Sequence, residues 1–253
     1  MDEKRFPHLP DRKFISDIDE LVSTEAARYI GENGPDLSWI YLEFTDDMGH
    51  KFGDSPEYFS AIQKADAQVG KVWKAIKERA KELGEQWMIV VTTDHGRDAE
   101  TGKNHGKQSD RERTTWIVTN GSPLNKRFQQ APAVVDIMPS ILRFMDIAIP
   151  VATKEELDGV PFVGPVSISN LKATTKEGKI ELTWDVLNPK GNVEIFLSAT
   201  NLFKEGKSDE YISVGTTKVS KGKFWLDKKS DDDFYKILVK APHNWLNVWV
   251  IKD

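Results

Sequence analysis

The sequence predicts an α/β segment, a partial parallel sheet with flanking helices, followed by an all-β sandwich. Three observations predict it. Helical and strand-like stretches alternate up to about residue 150, the order that right-handed crossovers and a parallel sheet require. The run Trp87-Met88-Ile89-Val90-Val91 is continuously apolar and rich in β-branched residues, as in a strand covered on both faces. Beyond Gly164 the pattern changes to short, aromatic, partly alternating stretches separated by turn residues.

In chain order, Met1 to Arg12 is polar and Pro-punctuated, a connector. From Phe14 to Ile30, Ile15, Ile18, Leu21, Val22, Ala26, Tyr29 and Ile30 recur at helical spacing, and Gly34-Pro35 stops the helix. Leu37 to Phe44 (LSWIYLEF) is expected to be a strand breaking into a loop, Thr45-Asp46-Asp47-Met48-Gly49-His50. Ser55-Pro56-Glu57 supplies an N-cap, a Pro at the first helical position and a first-turn acid. The long helix that follows carries Ile62, Val69, Ile76 and Leu83 on one face, with Phe59, Trp73 and Ala80 beside them, and Gly84 ends it. The strand from Trp87 breaks into Asp94-His95-Gly96. Thr114 to Thr119 is a third strand, and Asp136 to Ile147 a short helix in which Pro139 sits in the first turn. Val151 to Gly164 reads as a linker. The sandwich strands are Lys179–Trp184, Val193–Leu197, Tyr211–Val214, Phe234–Val239 and Leu246–Ile251, with Trp184 in the core and His243 in solvent.

Composition narrows the function. The net charge of -5 is interspersed, with no basic stripe for nucleic acid or an anionic membrane. The absence of Cys excludes disulfides, thiolate catalysis and Cys-ligated metal. The longest apolar runs fall short of the ~20 residues of a membrane span.

Chemistry-bearing residues gather at two strand ends. Three of the five His (His50, His95, His105) stand in the two loops that also hold Asp46 and Asp94. In open α/β sheets ligands collect at the carboxyl edge of the strands, and carboxylate with imidazole is a donor set for a divalent cation. The competing reading of each His is a solvated loop residue. Asp47 is read as a solvated acid or as support for its ligand neighbour. Thr92, Thr93, Lys103, Gln108, Arg111 and Arg113 either touch a bound substrate or orient ligands, or serve the strand and the surface.

Asp46-x-x-Gly49-His50-x-x-Gly53, a long helix, a hydrophobic strand, Asp94-His95-Gly96 and a downstream His105 together resemble the alkaline phosphatase superfamily, nearest its nucleotide pyrophosphatase/phosphodiesterase branch. The segment from Val134 to Phe162 is similar to the usual close of that catalytic domain, and the LTW strand resembles a fibronectin type III module. The resemblance implies a catalytic part over residues 1–163 and a sandwich over 164–253. It implies Asp46, His50 and His105 as ligands of one Zn²⁺ and Asp94 and His95 as part of a second site. Two such ions ~4 Å apart serve in-line phosphoryl displacement. It also implies a small phosphodiester or nucleotide-like substrate and export to the periplasm or beyond. The family's early Asp and its Thr or Ser nucleophile have no counterpart ahead of Asp46, where Ser16, Ser23 and Thr24 lie within a helix. The expectation is therefore a C-terminal portion of a longer phosphodiesterase, weakly active or inactive alone. A phosphomutase or sulfatase of the superfamily is the alternative enzyme. The alternative to an enzyme is a metal-binding remnant carrying a binding module, with Trp184, Trp225, Trp245 and Trp249 as a stacking surface.

Overall fold

In the computed structural model, residues 12–227 and 234–251 are described, so the expected connector before Arg12 lies outside them. The chain divides into two compact units, Met1–Trp116 and Ile117–Asp253.

In the first unit, α1 (Lys13–Asn33) and α3 (Pro56–Leu83) pack through the buried Ile30, Val72 and Ile76, with Ala26, Trp73, Trp87 and Ile89 against them. Of the face that periodicity marks on α3, Ile76 is buried while Phe59, Ile62 and Leu83 are exposed, because α1 packs on the side that carries Val72. Gly34 closes α1 and Gly84 closes α3, both in the left-handed conformation that costs glycine no Cβ clash. The Ser55 hydroxyl accepts the Tyr58 amide at 3.2 Å, as the N-cap reading requires. The expected strand over Leu37–Phe44 does not form. Residues 38–43 carry no regular element, and α2 (Phe44–Phe52) begins where the strand was to end. The cause is not local: the buried Asp19 carboxylate of α1 accepts the Glu43 amide at 3.1 Å and the Phe44 amide at 2.8 Å, so a distant side chain caps this helix. The strand from Trp87 is regular only as β1 (Val90–Thr92). After it comes the one-turn α4 (Asp110–Arg113), with a capping box between Ser109 and Glu112.

The second unit opens with β2 (Ile117–Thr119), a 3-10 turn at Val134–Asp136, α5 (Ile137–Phe144) and α6 (Val151–Glu156). Asp136 is fully buried and organises this region. It accepts the Val160 amide at 2.6 Å and the Ala133 amide at 2.9 Å, and it pairs with the buried Arg127 at 2.7 Å. Val151–Gly164 is consequently not a linker: it contains α6, and Val160, Phe162 and Val163 are core residues. Its Pro and Gly content reflects turns between packed residues.

Among the described residues, the sandwich has seven strands in two antiparallel sheets. One holds β3 (Ile168–Lys176), β4 (Lys179–Val186) and β7 (Lys223–Asp227) in the order β3-β4-β7. The other holds β5 (Asn192–Ser198), β6 (Ile212–Lys218), β8 (Phe234–Lys240) and β9 (Trp245–Ile251) in the order β6-β5-β8-β9. This three-plus-four arrangement is fibronectin type III-like. Strand alternation sends Ile180, Leu182, Ile195, Ile237 and Val239 into the core between the sheets. Trp184 joins them, its indole donating to the Val219 carbonyl at 3.0 Å, and His243 is exposed, both as expected. Trp225 and Trp249 stand on different sheets, so the four tryptophans share no stacking face.

The opposite face of β8 is covered as well. Lys236 is fully buried between the carboxylates of Asp209, at 2.8 Å, and Glu156. Glu155 pairs with Lys240 at 3.2 Å, the Asn247 side chain donates to the Leu157 carbonyl at 3.2 Å, and the Lys154 ammonium lies 5.1 Å from the Trp245 ring centre. Residues 154–157 are thus a strap across the outer face of the larger sheet.

Candidate metal centre

Asp46 and His50 stand on α2 four residues apart, one helical turn, so they share a face. The sequence pattern placed them on a tight turn; the helix holds them closer to fixed geometry. The His50 Nε2 lies 3.3 Å from Asp46 Oδ2.

The second set comes from the loop after β1. His95 Nδ1 is 2.9 Å from the Gly96 carbonyl, and donation there leaves Nε2 as the lone-pair atom. Gly96 donates to the Glu112 carbonyl at 2.7 Å, and a Cβ at this position would lie 1.9 Å from the Arg111 carbonyl oxygen, so only glycine fits. Asp98 then closes the loop: its carboxylate accepts the amides of Thr101 and Asn104, each at 2.7 Å, and of Glu100 at 3.1 Å. Those backbone donors hold its carboxyl far below the usual carboxylate range. The folded loop returns His105 to α2.

The imidazoles converge on one carboxylate. His95 Nε2 and His105 Nε2 are each 3.8 Å from Asp46 Oδ1, and His50 Nε2 is 3.0 Å from His105 Nε2. The rings of His95 and His105 stack with centres 3.7 Å apart. Among the described residues, Asp46, His95 and His105 form a group whose donor atoms all fall within 4.8 Å of one another, and His50 borders it. Two ligands bound to one Zn²⁺ at 2.0–2.1 Å in tetrahedral geometry stand roughly 3.4 Å apart, so these separations suit a shared ion. The donor chemistry fits as well, three imidazoles and a carboxylate. Burial lowers the His105 imidazole below its usual range and the neighbouring His95 adds to the shift, against the pull of Asp46. The neutral, ligating form is thereby favoured. Their side chains are 27–41% exposed, open to a ligand from solvent.

The remaining candidates separate. Asp94 is 71% exposed and reaches His95 at 3.6 Å. Asp47 is not a solvated acid: it is buried and its Oδ1 pairs with Arg12, while its Oδ2 is buried without a hydrogen bond. The Thr92 and Thr93 hydroxyls donate to the carbonyls of Trp116 and His95. Arg111 is held by Asp54 at 2.6 Å and Arg113 by Asp110 at 2.8 Å, while Lys103 and Gln108 are exposed. Sequence patterning missed Arg97, Asp98 and Asp19. The Asp98-x-x-Thr101 spacing is an Asx-turn signal for one of them; Arg97 and Asp19 act across the fold and leave no local trace.

The family profile described as Type I phosphodiesterase / nucleotide pyrophosphatase matches residues 3–135, just over half of the 253 residues. The chain belongs to that family. Phosphoester hydrolysis is the chemistry of the family, it depends on metal, and the matched segment contains every residue of the Asp/His group above. Comparison with curated proteins returns no match. Among solved structures, the fn3 domain of human collagen alpha-1(XX) chain is similar at 12% identity, over 36% of this chain and 86% of that one, with a TM-score of 0.26. No helix among the described residues is long and apolar enough to cross a membrane.

Proposed function

We propose that this phosphodiesterase-family chain takes part in metal-dependent hydrolysis of small phosphodiester or pyrophosphate substrates of nucleotide type, with Zn²⁺ as the ion. Asp46, His50 and His105 would hold one ion, and Asp94 and His95 would contribute to a second position. The observation that supports an ion here is the approach of three imidazole Nε2 atoms, from two separate segments, to the Asp46 carboxylate. His95 lies as near Asp46 as His105 does, and its assignment to the second position rests on the family pattern. When bound, the ion supplies Lewis acidity to a phosphoryl oxygen. The chain's own part is to preset the donors: α2 fixes Asp46 and His50 one turn apart, the Gly96 carbonyl orients His95, and Asp98 folds the loop that brings His105.

We infer in addition that the polypeptide by itself turns over slowly. Covalent transfer needs a hydroxyl nucleophile at the site. Two of the hydroxyls ahead of Asp46 support α1 and its packing instead: Ser23 donates to the Glu20 carbonyl at 3.0 Å, and Thr24 accepts the Lys71 ammonium at 3.1 Å.

The test is metal analysis and turnover of the purified chain. After chelation and reloading it should retain about one Zn²⁺, lose it on His105→Ala, and hydrolyse bis(p-nitrophenyl) phosphate only slowly. No retained metal at micromolar Zn²⁺ would remove the metal reading. Fast, chelator-sensitive turnover would keep the hydrolase and discard the missing hydroxyl.

A further inference from the structure

Arg97 is buried, 6% exposed, immediately after the Asp94-His95-Gly96 motif. Its guanidinium makes three attachments that the metal reading does not use. One terminal nitrogen donates to the Asp46 carbonyl at 2.6 Å and also contacts Asp46 Oδ1; the other donates to the Lys103 carbonyl at 3.1 Å. The guanidinium carbon lies 5.8 Å from the ring centre of Tyr58, on α3. Lys103 is two residues before His105. One rigid planar cation therefore spans the helix that carries Asp46 and the loop that carries His105.

Gly49 makes room for it. A Cβ built at Gly49 would stand 2.3 Å from the Arg97 guanidinium carbon, which accounts for a glycine inside α2, where alanine would favour the helix. The fork matters more than the charge, because a lysine ammonium cannot hold two diverging acceptors in one plane.

We propose that Arg97 is the positioning residue of the metal centre. It fixes the rotamer of Asp46 through Oδ1, leaves Oδ2 on the His50 side, and sets the spacing between α2 and the His105 loop. Gly49 is its seat. The inference rests on the metal reading above. Partners outside the ligand shell of this kind typically govern metal affinity by ~10–100-fold.

The experiment is titration of the metal-free chain with Co²⁺, followed by its visible d–d band. Arg97→Met should weaken Co²⁺ binding by ~10–100-fold, and Arg97→Lys should restore little of it. Gly49→Ala, which keeps the charge and favours the helix, should weaken Co²⁺ in the same direction. Gly70→Ala, on α3 with nothing within 4 Å of the added Cβ, should leave it unchanged. Wild-type binding with Arg97→Met, or with Arg97→Lys and Gly49→Ala if Arg97→Met does not fold, within about threefold of it and showing the same band, overturns the role of Arg97 alone. No Co²⁺ band in the wild type overturns that role and the metal reading together.

Discussion

His50 Nε2 and His105 Nε2 lie 3.0 Å apart although 55 residues separate them in the chain. Two ring nitrogens at this distance share one proton or one cation; they cannot both carry a proton toward each other. The contact is the point at which α2 and the loop after β1 meet.

Substitution of either partner tests that meeting. His50→Ala and His105→Ala should each reduce Zn²⁺ affinity by more than the ~10–100-fold typical of a lost outer partner. Competition against a chromophoric chelator at pH 7.5 measures it. Asp94→Ala, at a 71% exposed residue, should reduce it least.

The lowered affinity of His105 for protons has a definite sign. Its folded value lies below the ordinary one near 6.5, so the unfolded chain binds more protons between the two values, and stability rises with pH there. In the metal-free protein the melting temperature should therefore fall as pH drops below about 6.5. His105→Asn should flatten the profile, as differential scanning fluorimetry across pH 5 to 8 would show.

Asp19 caps α2 from another helix, accepting the amides of Glu43 and Phe44. Asp19→Ala should cost about 1–2 kcal/mol, the upper part of the range for a lost cap, and should weaken Zn²⁺ binding through Asp46 and His50. Burial raises the Asp19 carboxyl above its usual value, so the neutral Asp19→Asn should be milder. Urea denaturation of the pair separates the two effects.

Much of this was legible in the residues. The α1 and α3 helices and their ends follow from apolar spacing, Ser55-Pro56 and the two terminal glycines. The clustering of Asp46, His50, His95 and His105 follows from the repeat of the Asp/His pattern after two apolar runs. Leu37–Phe44 misled because an apolar run reports burial and β propensity without reporting a partner strand, and the Asp19 cap that starts α2 is 25 residues from Phe44. β3 was missed because its outer half, Leu171–Lys176, is largely polar, and β7 because its three apolar residues, Phe224, Trp225 and Leu226, are consecutive between charged ends and show no alternation. Arg97 escaped for a different reason: its value lies in three acceptors distributed over α2 and the loop, none of which a local pattern encodes.

Lys236 offers a test within the second unit. Its side chain is 0% exposed and that of Asp209 1%, so Lys236→Met would leave a buried carboxylate uncompensated at a cost of about 3–5 kcal/mol. Asp209→Asn and Glu156→Gln combined with Lys236→Met should recover much of the loss. Equilibrium unfolding in urea reads both.

The strap at residues 154–157 bears on how such a module could travel between proteins. Excised at Gly164, the sandwich would leave behind Glu156, half of the counter-charge of an interior ammonium, together with the Leu157 carbonyl that Asn247 holds and the Lys154 ammonium over the Trp245 ring. A functional cassette for grafting must carry its upstream tether, so recombination breakpoints that preserve folding should cluster ahead of Val151 rather than at the Pro- and Gly-rich stretch where composition alone would cut.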